Sequence, residues 1–219
     1  MSLKASIRKF NVYEYFDTTK SSPIRQLTGY SKEARFSSNG KNLAIILQQL
    51  NNHHSISYDA LEDQLLNVNP HFKDISFDVF ANKTLLVLRE KSLARAVPAD
   101  HISDGTLRFL LLLAIFYNPE RGKLVFIDEP EIGLHPDMIN SIAKGIKYAA
   151  ANGTQMIINT HSPLLLNSFD VDDVFIYEKD RDNETNVQVN GDDDFPEIDE
   201  GVTVGQLWMM GKLGGTRWQ

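Results

Sequence analysis

The stretch Val125–Pro136, which reads VFIDEPEIGLHP, decides the fold of this chain. It completes an apolar run, KLVFI, that starts at Lys123 and stops at two adjacent carboxylates, Asp128 and Glu129. A short, mostly apolar run of this kind predicts a buried strand of a parallel sheet. Pro136 is typical of the first residue of a helix, where no N–H is needed. The stretch therefore predicts a strand, an acidic loop and a helix, in that order.

The same alternation continues on both sides of this stretch. Upstream, Ser103 is placed to cap a helix that runs to about Tyr117. Downstream, the helix after Pro136 ends near Gly153, and Met156–Ile158 predicts another short buried strand. Apolar strands between amphipathic helices predict an α/β fold whose parallel sheet is covered by helices on both faces.

The pattern before residue 100 is different and predicts a smaller α+β part. Residues 1–100 are therefore predicted as an irregular N-terminal part, and residues 101–219 as the main core. Near the C-terminus, a terminal hairpin is predicted from two short runs. The predicted elements outside the core are a strand at Phe10–Phe16, helices from about Asn42 and over Tyr58–Val68, strands at Ile75–Phe80 and Thr84–Leu88, and the hairpin strands Asp173–Glu178 and Asn186–Val189.

Composition excludes several classes of protein. The 219 residues include no Cys, so a disulfide scaffold, a Cys-ligated zinc site and a thiol nucleophile are all excluded. The longest uncharged apolar run, Phe109–Tyr117, is far shorter than the roughly 20 residues that span a bilayer. The first ten residues contain no apolar core of signal-peptide length. We expect a soluble cytoplasmic protein with no membrane partner.

The net charge of −7 is concentrated in one segment. Residues 170–200 contain thirteen acidic and two basic side chains, whereas the remainder contains 20 basic and 16 acidic ones. The acidic balance therefore does not exclude nucleic acid as a partner of the remainder. No dense cluster of Lys and Arg argues for such a partner.

The pair Asp128 and Glu129 is the first candidate for chemistry. Ligands of open α/β sheets bind beyond the carboxyl ends of the strands, which is where this pair is predicted to lie. Asp128 is placed to hold Mg²⁺, directly or through water, and Glu129 is placed to activate a water molecule. The alternative interpretation is a strand that simply ends in an acidic turn.

Two further signals are weak individually. The run Ile102–Thr106 (ISDGT) opens a helix with a small capping residue and a Gly, and exposed N–H groups at such a start can bind an anion. An ordinary Ser cap explains the same residues. The run Ile158–Pro163 (INTHSP) ends a strand and brings Thr160 and His161 to the predicted sheet edge, although a lone His after a strand is usually structural.

In their order and spacing, these three signals resemble the C-terminal half of an ABC-type ATPase head of the RecF/SMC-like group, close to the OLD and AAA-type ATPases. ISDGT is similar to the signature motif, VFIDEPEIGLHP to Walker B with the catalytic Glu and the D-loop, and THSP to the His switch. The resemblance implies part of a P-loop NTPase fold, which binds ATP and Mg²⁺. It also implies ATP hydrolysis between two heads, with DNA repair and phage defence among the processes that such heads serve.

The resemblance also implies a role for each matched residue. Asp128 would position Mg²⁺ and Glu129 would be the general base, while His161, with Thr160 beside it, would sense the γ-phosphate. The signature residues would contact the nucleotide held by a second head; these residues are Ser103, Asp104, Gly105 and Thr106.

One expected motif is missing from the 219 residues. ATPases of this group have a phosphate loop, GxxxxGK[ST], and none of the three Gly-Lys pairs, at residues 40, 122 and 211, fits it. We therefore expect an ATPase half that is inactive alone and has two partners, a Walker A half and a second head.

The missing motif also has a structural consequence. In this fold the phosphate-loop strand lies beside the switch strand, so that strand, Gln155–Asn159, is expected to have an open edge. The isolated chain would dimerise, swap a segment, or fill the edge with its N-terminal strand around residues 11–15.

Two alternative functions remain at this point. One is a non-catalytic regulatory or interaction module that kept the scaffold without a phosphate loop. The other is a mononuclear metal hydrolase that uses Asp128, Glu129, His135 and His161, although no HExxH or His-x-His spacing is present.

Overall fold

The computed structural model describes residues 10–31, 35–180, 182–189, 191, 194–195 and 201–214. The chain divides into two compact units, Met1–Thr160 and His161–Gln219. The boundary that the sequence pattern places after residue 100 remains a prediction about domain organisation. The strands are β1 (Phe10–Tyr13), β2 (Thr28–Gly29), β3 (Phe72–Phe80), β4 (Lys83–Glu90), β5 (Val97–Pro98), β6 (Leu124–Asp128), β7 (Gln155–Asn159), β8 (Phe175–Lys179) and β9 (Thr185–Val189). The helices are α1 (Leu43–His53), α2 (Ser55–Val68), α3 (Asp104–Tyr117), α4 (Pro136–Ala151), α5 (Pro163–Leu166) and α6 (Val204–Met209).

A parallel sheet with the strand order β1-β6-β7 forms the centre of the first unit. The predicted strand-helix alternation is confirmed, since β6, α4 and β7 follow one another along the chain. Helix α4 contacts both β7 and α3. One row of side chains on the inward face runs across the three strands and consists of Tyr13, Ile127 and Ile158. Tyr13 and Ile127 are each only 2% exposed.

Among the residues that the structure describes, little packs against the opposite face of this sheet. Val12, Phe126 and Ile157 are aligned across the three strands; Val12 is 50% exposed, Phe126 is half-buried and Ile157 is 43% exposed. The prediction of a sheet covered on both faces, with a buried second strand, is therefore wrong for the residues that the structure describes. A single apolar strand sequence cannot reveal this, because it does not specify what packs on each face.

Strand β7 is also the edge of the sheet within the described part of the chain. It pairs only with β6, while β1 pairs with the other side of β6. The predicted N-terminal strand exists, but the expectation that it fills the edge of β7 is wrong. Asn11 in β1 also donates a hydrogen bond to the carbonyl of Arg121, which precedes β6, and so helps to hold β1 in its observed place.

Helix α3 is buried on all sides. Every residue from Thr106 to Tyr117 is buried, because α1, α2 and α4 all contact this helix. The longest apolar run of the sequence thus forms a central helix. Close packing against α4 depends on Gly145, where an added Cβ would come within 2.5 Å of the Phe116 ring.

The first unit also contains an antiparallel sheet. Strands β3 and β4 form a hairpin, and β2 and β5 each pair with β4. The hairpin turn contains Ala81 at a φ of 53°. With α1 and α2, this sheet matches the elements that the sequence predicts for the smaller α+β part.

The second unit contains α5, the β8–β9 hairpin and α6. The predicted terminal hairpin is confirmed by antiparallel pairing from Phe175 to Lys179. Gly205 allows α6 to lie against α5, because an added Cβ would be 2.1 Å from the Pro163 carbonyl oxygen. The buried core of the second unit consists of Val171, Ile176, Phe195, Val204, Leu207 and Leu213.

None of the helices in the described residues has both the length and the hydropathy that crossing a bilayer requires.

Candidate active site

The carboxyl ends of β6 and β7 lie side by side. Asp128 and Asn159 are register partners, and Asn159 Nδ2 donates a 2.6 Å hydrogen bond to Asp128 Oδ1. Asp128 is half-buried, so its carboxylate is held in place and still accessible. A hard cation such as Mg²⁺ prefers oxygen ligands of this type. Asp128 is thus where the sequence predicts it, and its amide partner Asn159 is an addition.

Glu129 follows in a strained backbone conformation. Its φ is 42°, although a residue before proline normally adopts an extended conformation. The Glu129 N–H donates a 2.9 Å hydrogen bond to the Asn159 carbonyl, and the Glu129 carbonyl accepts one of 3.2 Å from the Ile132 N–H. Strain that is fixed by several bonds in this way is common where a side chain must be presented for chemistry.

The loop after β6 is bound to the end of β7 through a second carboxylate. Thr160 Oγ1 donates a 2.5 Å hydrogen bond to Glu131 Oε1. Thr160 is among the predicted site residues, whereas Glu131 is not. Its position two residues after Glu129, within the same acidic loop, is the sequence signal that could have identified it.

The start of α3 lies against the same loop. Ser103 caps the helix, since its Oγ accepts a 3.2 Å hydrogen bond from the Thr106 N–H and donates one of 2.8 Å to Thr106 Oγ1. An added Cβ on Gly105 would be 2.9 Å from the Gly133 carbonyl oxygen. The ordinary cap and this close approach therefore account structurally for the Ser and the Gly. They also bring the predicted signature residues next to the loop that follows β6.

Asp104, in the first turn of α3, forms an ion pair with Arg25. The Arg25 side chain is 3% exposed, whereas that of Asp104 is 66% exposed. Arg25 also donates hydrogen bonds to the carbonyls of Thr18, Thr19, Ala99 and Ile102. Sequence reasoning missed Arg25, because its neighbours show little periodicity.

Arg108 connects α3 to the same loop from the buried side. It is 7% exposed, and its Nη2 donates a 3.4 Å hydrogen bond to the Glu129 carbonyl. Burial lowers the pKa of Arg108 below its usual value, and interactions with Tyr15, Glu131 and Glu129 oppose this shift. An isolated charge in the apolar helix sequence TLRFLLLL was the available signal for this residue.

The two histidines have different positions. His161 is the first residue of the second unit and directly follows Thr160. His135 caps α4, accepting a 3.3 Å hydrogen bond at Nδ1 from the Asp137 N–H. No three His, Cys, Asp or Glu side chains cluster as a metal site in the described residues. The mononuclear hydrolase alternative therefore has no geometric support there.

Comparison with known proteins finds a matching protein family and a similar phage protein. Residues 9–167 match the family described as "AAA domain, putative AbiEii toxin, Type IV TA system". The chain is 34% identical over 116 residues to the Old nuclease of Escherichia phage P2, an alignment that covers 47% of this chain and 20% of the nuclease.

Solved structures of SMC heads are also similar. The Smc head domain of Pyrococcus furiosus, with an extended coiled coil and bound to the C-terminal domain of ScpA, has a TM-score of 0.50 at 12% identity. That match covers 71% of this chain and 40% of the other. A structure from work on ATP-driven dimerization and DNA-stimulated activation of SMC ATPases has a TM-score of 0.49 at 14% identity, covering 69% of this chain and 93% of the other.

These likenesses confirm the predicted fold class, an α/β arrangement with a parallel sheet similar to that of an SMC ATPase head. They also confirm the resemblance to the SMC and OLD type of ATPase domain. The chain spans about a fifth of the length of the phage nuclease and 40% of the Smc chain.

Proposed function

Because the chain belongs to the AAA domain family described as "AAA domain, putative AbiEii toxin, Type IV TA system", we propose that it is part of an ATP-hydrolysing head. The part in question carries the signature motif, the Walker B strand and the switch residues. The observation that carries the proposal is the set of polar groups at the carboxyl ends of β6 and β7. There Asp128 and Glu129 lie beside Asn159 and Thr160.

Asp128 fits a Mg²⁺ ion that is shared with a nucleotide. Proteins commonly hold Mg²⁺ through one or two carboxylates, with water and substrate phosphates completing the shell. One fixed and accessible carboxylate satisfies that requirement, and a cluster of three protein ligands is not needed. When bound, Mg·ATP would supply the phosphoryl group and part of the charge neutralisation.

Glu129 is the proposed general base for the attacking water. Its backbone is fixed by bonds to Asn159, Ile132 and Arg108, so the point from which its side chain leaves the loop is set before a nucleotide binds. Phosphoryl transfer depends mainly on positioning and on charge stabilisation. Glu129 directly follows the proposed magnesium ligand Asp128 on a fixed backbone, and this arrangement supports positioning, the first of these.

The first turn of α3 is the proposed contact to a second head. Ser103, Gly105 and Thr106 lie at the positive end of a helix dipole, which favours an anion such as a γ-phosphate. Asp104 belongs to the same turn. Thr160 and His161 are the proposed contacts to the γ-phosphate on the side of Asp128. ATP would therefore be held between two heads.

The uncovered edge of β7 is the proposed place of the phosphate-loop strand. Polypeptide outside these 219 residues would provide that strand, either from the same protein or from a partner. Without it, we propose, the 219 residues show no detectable ATP binding and do not hydrolyse ATP. DNA repair or phage defence is the process that we propose for the assembled ATPase.

Calorimetry with Mg·ATP tests the proposal in two steps. The 219 residues alone should show no detectable binding, and the Asp128→Ala variant should behave in the same way. Micromolar binding by the 219 residues that Asp128→Ala abolishes would contradict the need for an added phosphate loop.

In a protein that also contains the phosphate loop, Glu129→Gln should trap an ATP-bound dimer and lower turnover by at least about 100-fold. Glu120→Gln, at an exposed position before β6, is the matched control and should leave turnover unchanged. Unchanged turnover in Glu129→Gln would refute the assigned role. Absence of ATP binding in the protein with the phosphate loop would favour the non-catalytic module.

A further inference from the structure

A group of basic side chains lies on the antiparallel sheet of the first unit. They surround a cavity of about 230 Å³, here called the basic cavity, which is formed by the start of β3, the end of β4 and the segment between β4 and β5. Among the described residues that line it, one is acidic, Glu90. The basic side chains are all exposed and belong to Lys73, Arg89, Lys91 and Arg95.

The local backbone fixes where these side chains start. The register between β3 and β4 shifts between Phe72 and Asp74, so Lys73 has no partner on β4. A bulge of this kind changes the direction of the side chain on the extra residue. The N–H of Lys91 donates a 2.9 Å hydrogen bond to the carbonyl of His71, which fixes the start of the segment after β4. The charges are therefore presented from a backbone that is ordered before anything binds.

Most of this positive charge is not neutralised within the described residues. The side chains of Lys73, Lys91 and Arg95 form no ion pair and no hydrogen bond there. Arg89 pairs with Asp74 through its Nε at 2.6 Å, and its two terminal nitrogens remain available as donors. Like charges that are held close together repel one another, and an added anion relieves this repulsion. The basic cavity therefore favours a negatively charged ligand.

The basic cavity also has an apolar part. Leu93 is 50% exposed, and it lines the cavity together with Ala94 and Ala96. A ligand with apolar side chains between its charges would remove these groups from water, which is favourable. A nucleic acid backbone is a continuous row of phosphates, and its usual counterpart is a stripe or broad patch of cations. An acidic peptide that also contains apolar residues matches both parts of the cavity.

We propose that the basic cavity binds an acidic segment of a partner protein, in which apolar side chains lie between Asp or Glu residues. The carboxylates pair with Lys73, Lys91 and Arg95, and one accepts hydrogen bonds from Arg89. An apolar side chain packs on Leu93. The chain as a whole carries a net charge of −7 and repels acidic peptides, so binding has to come from this local cluster. None of these residues belongs to the candidate active site.

Fluorescence anisotropy with a labelled peptide of the sequence EELEELEE tests the proposal on the 219-residue chain. The peptide should bind at low salt, and its affinity should fall about tenfold when salt rises from about 50 to 300 mM. Arg95→Glu and Lys91→Glu should each weaken binding by at least about tenfold, because each replaces an attraction with a repulsion. Absence of binding to the original chain would overturn the proposal.

Lys83→Glu is the matched control for these two variants. Lys83 is exposed at the other end of β4, roughly 20 Å from Arg89, and the substitution changes the net charge by the same amount. It should weaken binding by less than about twofold, because charges at that distance are largely screened. If Lys83→Glu weakens binding as much as Arg95→Glu does, the peptide responds to net charge alone and the proposal is wrong.

The apolar contact and the folding of the variants are tested separately. Leu93→Ser should weaken binding of EELEELEE about fivefold and leave binding of EEGEEGEE unchanged. Equal effects on the two peptides would contradict the contact with Leu93 and therefore the proposal. Circular dichroism establishes that each variant is folded. If a Glu variant unfolds, Arg95→Ala and Lys91→Ala replace it and should each weaken binding about threefold.

Other occupants of the cavity give different results. Single-stranded oligothymidylate of similar charge should bind at least about tenfold more weakly than EELEELEE. Equal or tighter binding would assign the cavity to nucleic acid and overturn the proposal. In sedimentation velocity, Arg95→Glu should leave self-association of the chain unchanged. If it abolishes self-association, a second copy of the chain occupies the cavity and the proposal also fails. No nucleotide is present in these measurements, so they are independent of the proposed ATPase function.

Discussion

Arg25 ties the segment before α1 to the start of α3. Its guanidinium is almost fully buried and donates to four backbone carbonyls from two distant parts of the first unit, in addition to its pairing with Asp104. Buried carbonyls that lose such a donor remain desolvated without compensation. A single side chain thereby fixes where the candidate signature turn begins.

Replacing Arg25 should therefore be costly. Arg25→Met removes every one of these donors, and the loss of several bonds to carbonyls is expected to lower the free energy of unfolding by about 3 to 5 kcal/mol. Asp104→Asn removes only an exposed partner and should cost less than about 1 kcal/mol. Urea unfolding of the two variants, followed by circular dichroism, measures the difference. Equal losses would show that the ion pair, and not the bonds to the carbonyls, carries the stability.

At the scale of elements, α3 and α4 meet through two tyrosines. The rings of Tyr117 and Tyr148 are stacked with their centroids 4.5 Å apart, and Tyr117 is 3% exposed. Burial raises the pKa of Tyr117 to about 12. Burial also raises the pKa values of Tyr13 and Tyr58. These buried tyrosines therefore pack in their neutral form, and ionising them would destabilise the folded chain.

The stability of the chain should accordingly fall in alkaline solution. Below a pH of about 10, Tyr117 is neutral in both the folded and the unfolded chain, so its contribution is fully present. As pH rises to about 12, the unfolded chain loses the proton and the folded chain keeps it. The contribution of Tyr117 should then decline by about 2 to 3 kcal/mol.

Urea unfolding between pH 9 and pH 11.5 measures this decline, with Tyr117→Phe as the comparison. The variant should lose stability less steeply with pH, and the remaining slope should come from tyrosines such as Tyr13 and Tyr58. If the two chains give parallel curves, the phenol of Tyr117 ionises equally well in both states and the argument from burial is wrong.

At the scale of the whole molecule, the exposed face and edge of the central sheet are the features that most favour self-association. Phe10 and Val12 on β1 and Ile157 on β7 are each more than 40% exposed, and β7 is unpaired on one side within the described residues. Unpaired strand edges with apolar side chains promote pairing between chains. The chain should therefore self-associate when no other polypeptide covers this edge.

Sedimentation velocity at protein concentrations from about 5 to 200 µM tests this expectation. Ile157→Lys places a charge on the edge strand and should shift the chain towards the monomer by about tenfold in dissociation constant. Ile56→Lys removes an equally apolar side chain from the exposed face of α2, where it is 84% exposed, and should have no such effect. A strictly monomeric original chain would contradict the expectation.

Much of the fold could be predicted because its elements have local causes. The apolar run 123–127, the Pro at 136 and the Ser cap at 103 each determine a strand or a helix end within a few residues, and all three are observed. Asp128 and Glu129 could be placed at the sheet edge for the same reason. Arg25, Arg108 and Glu131 could not, because their partners are distant in sequence or follow from the packing of α3.

The sequence by itself determined the order of strands and helices, the positions of Asp128, Glu129 and Thr160 at strand ends, and the resemblance to an ATPase head. These depend on local periodicity and on short spacings along the chain. Only the tertiary structure decided that β1 pairs with β6, that β7 is half-exposed, and that Glu131 accepts a hydrogen bond from Thr160. Those features arise from contacts between residues far apart in the chain, and the identity of a residue does not specify its distant neighbour.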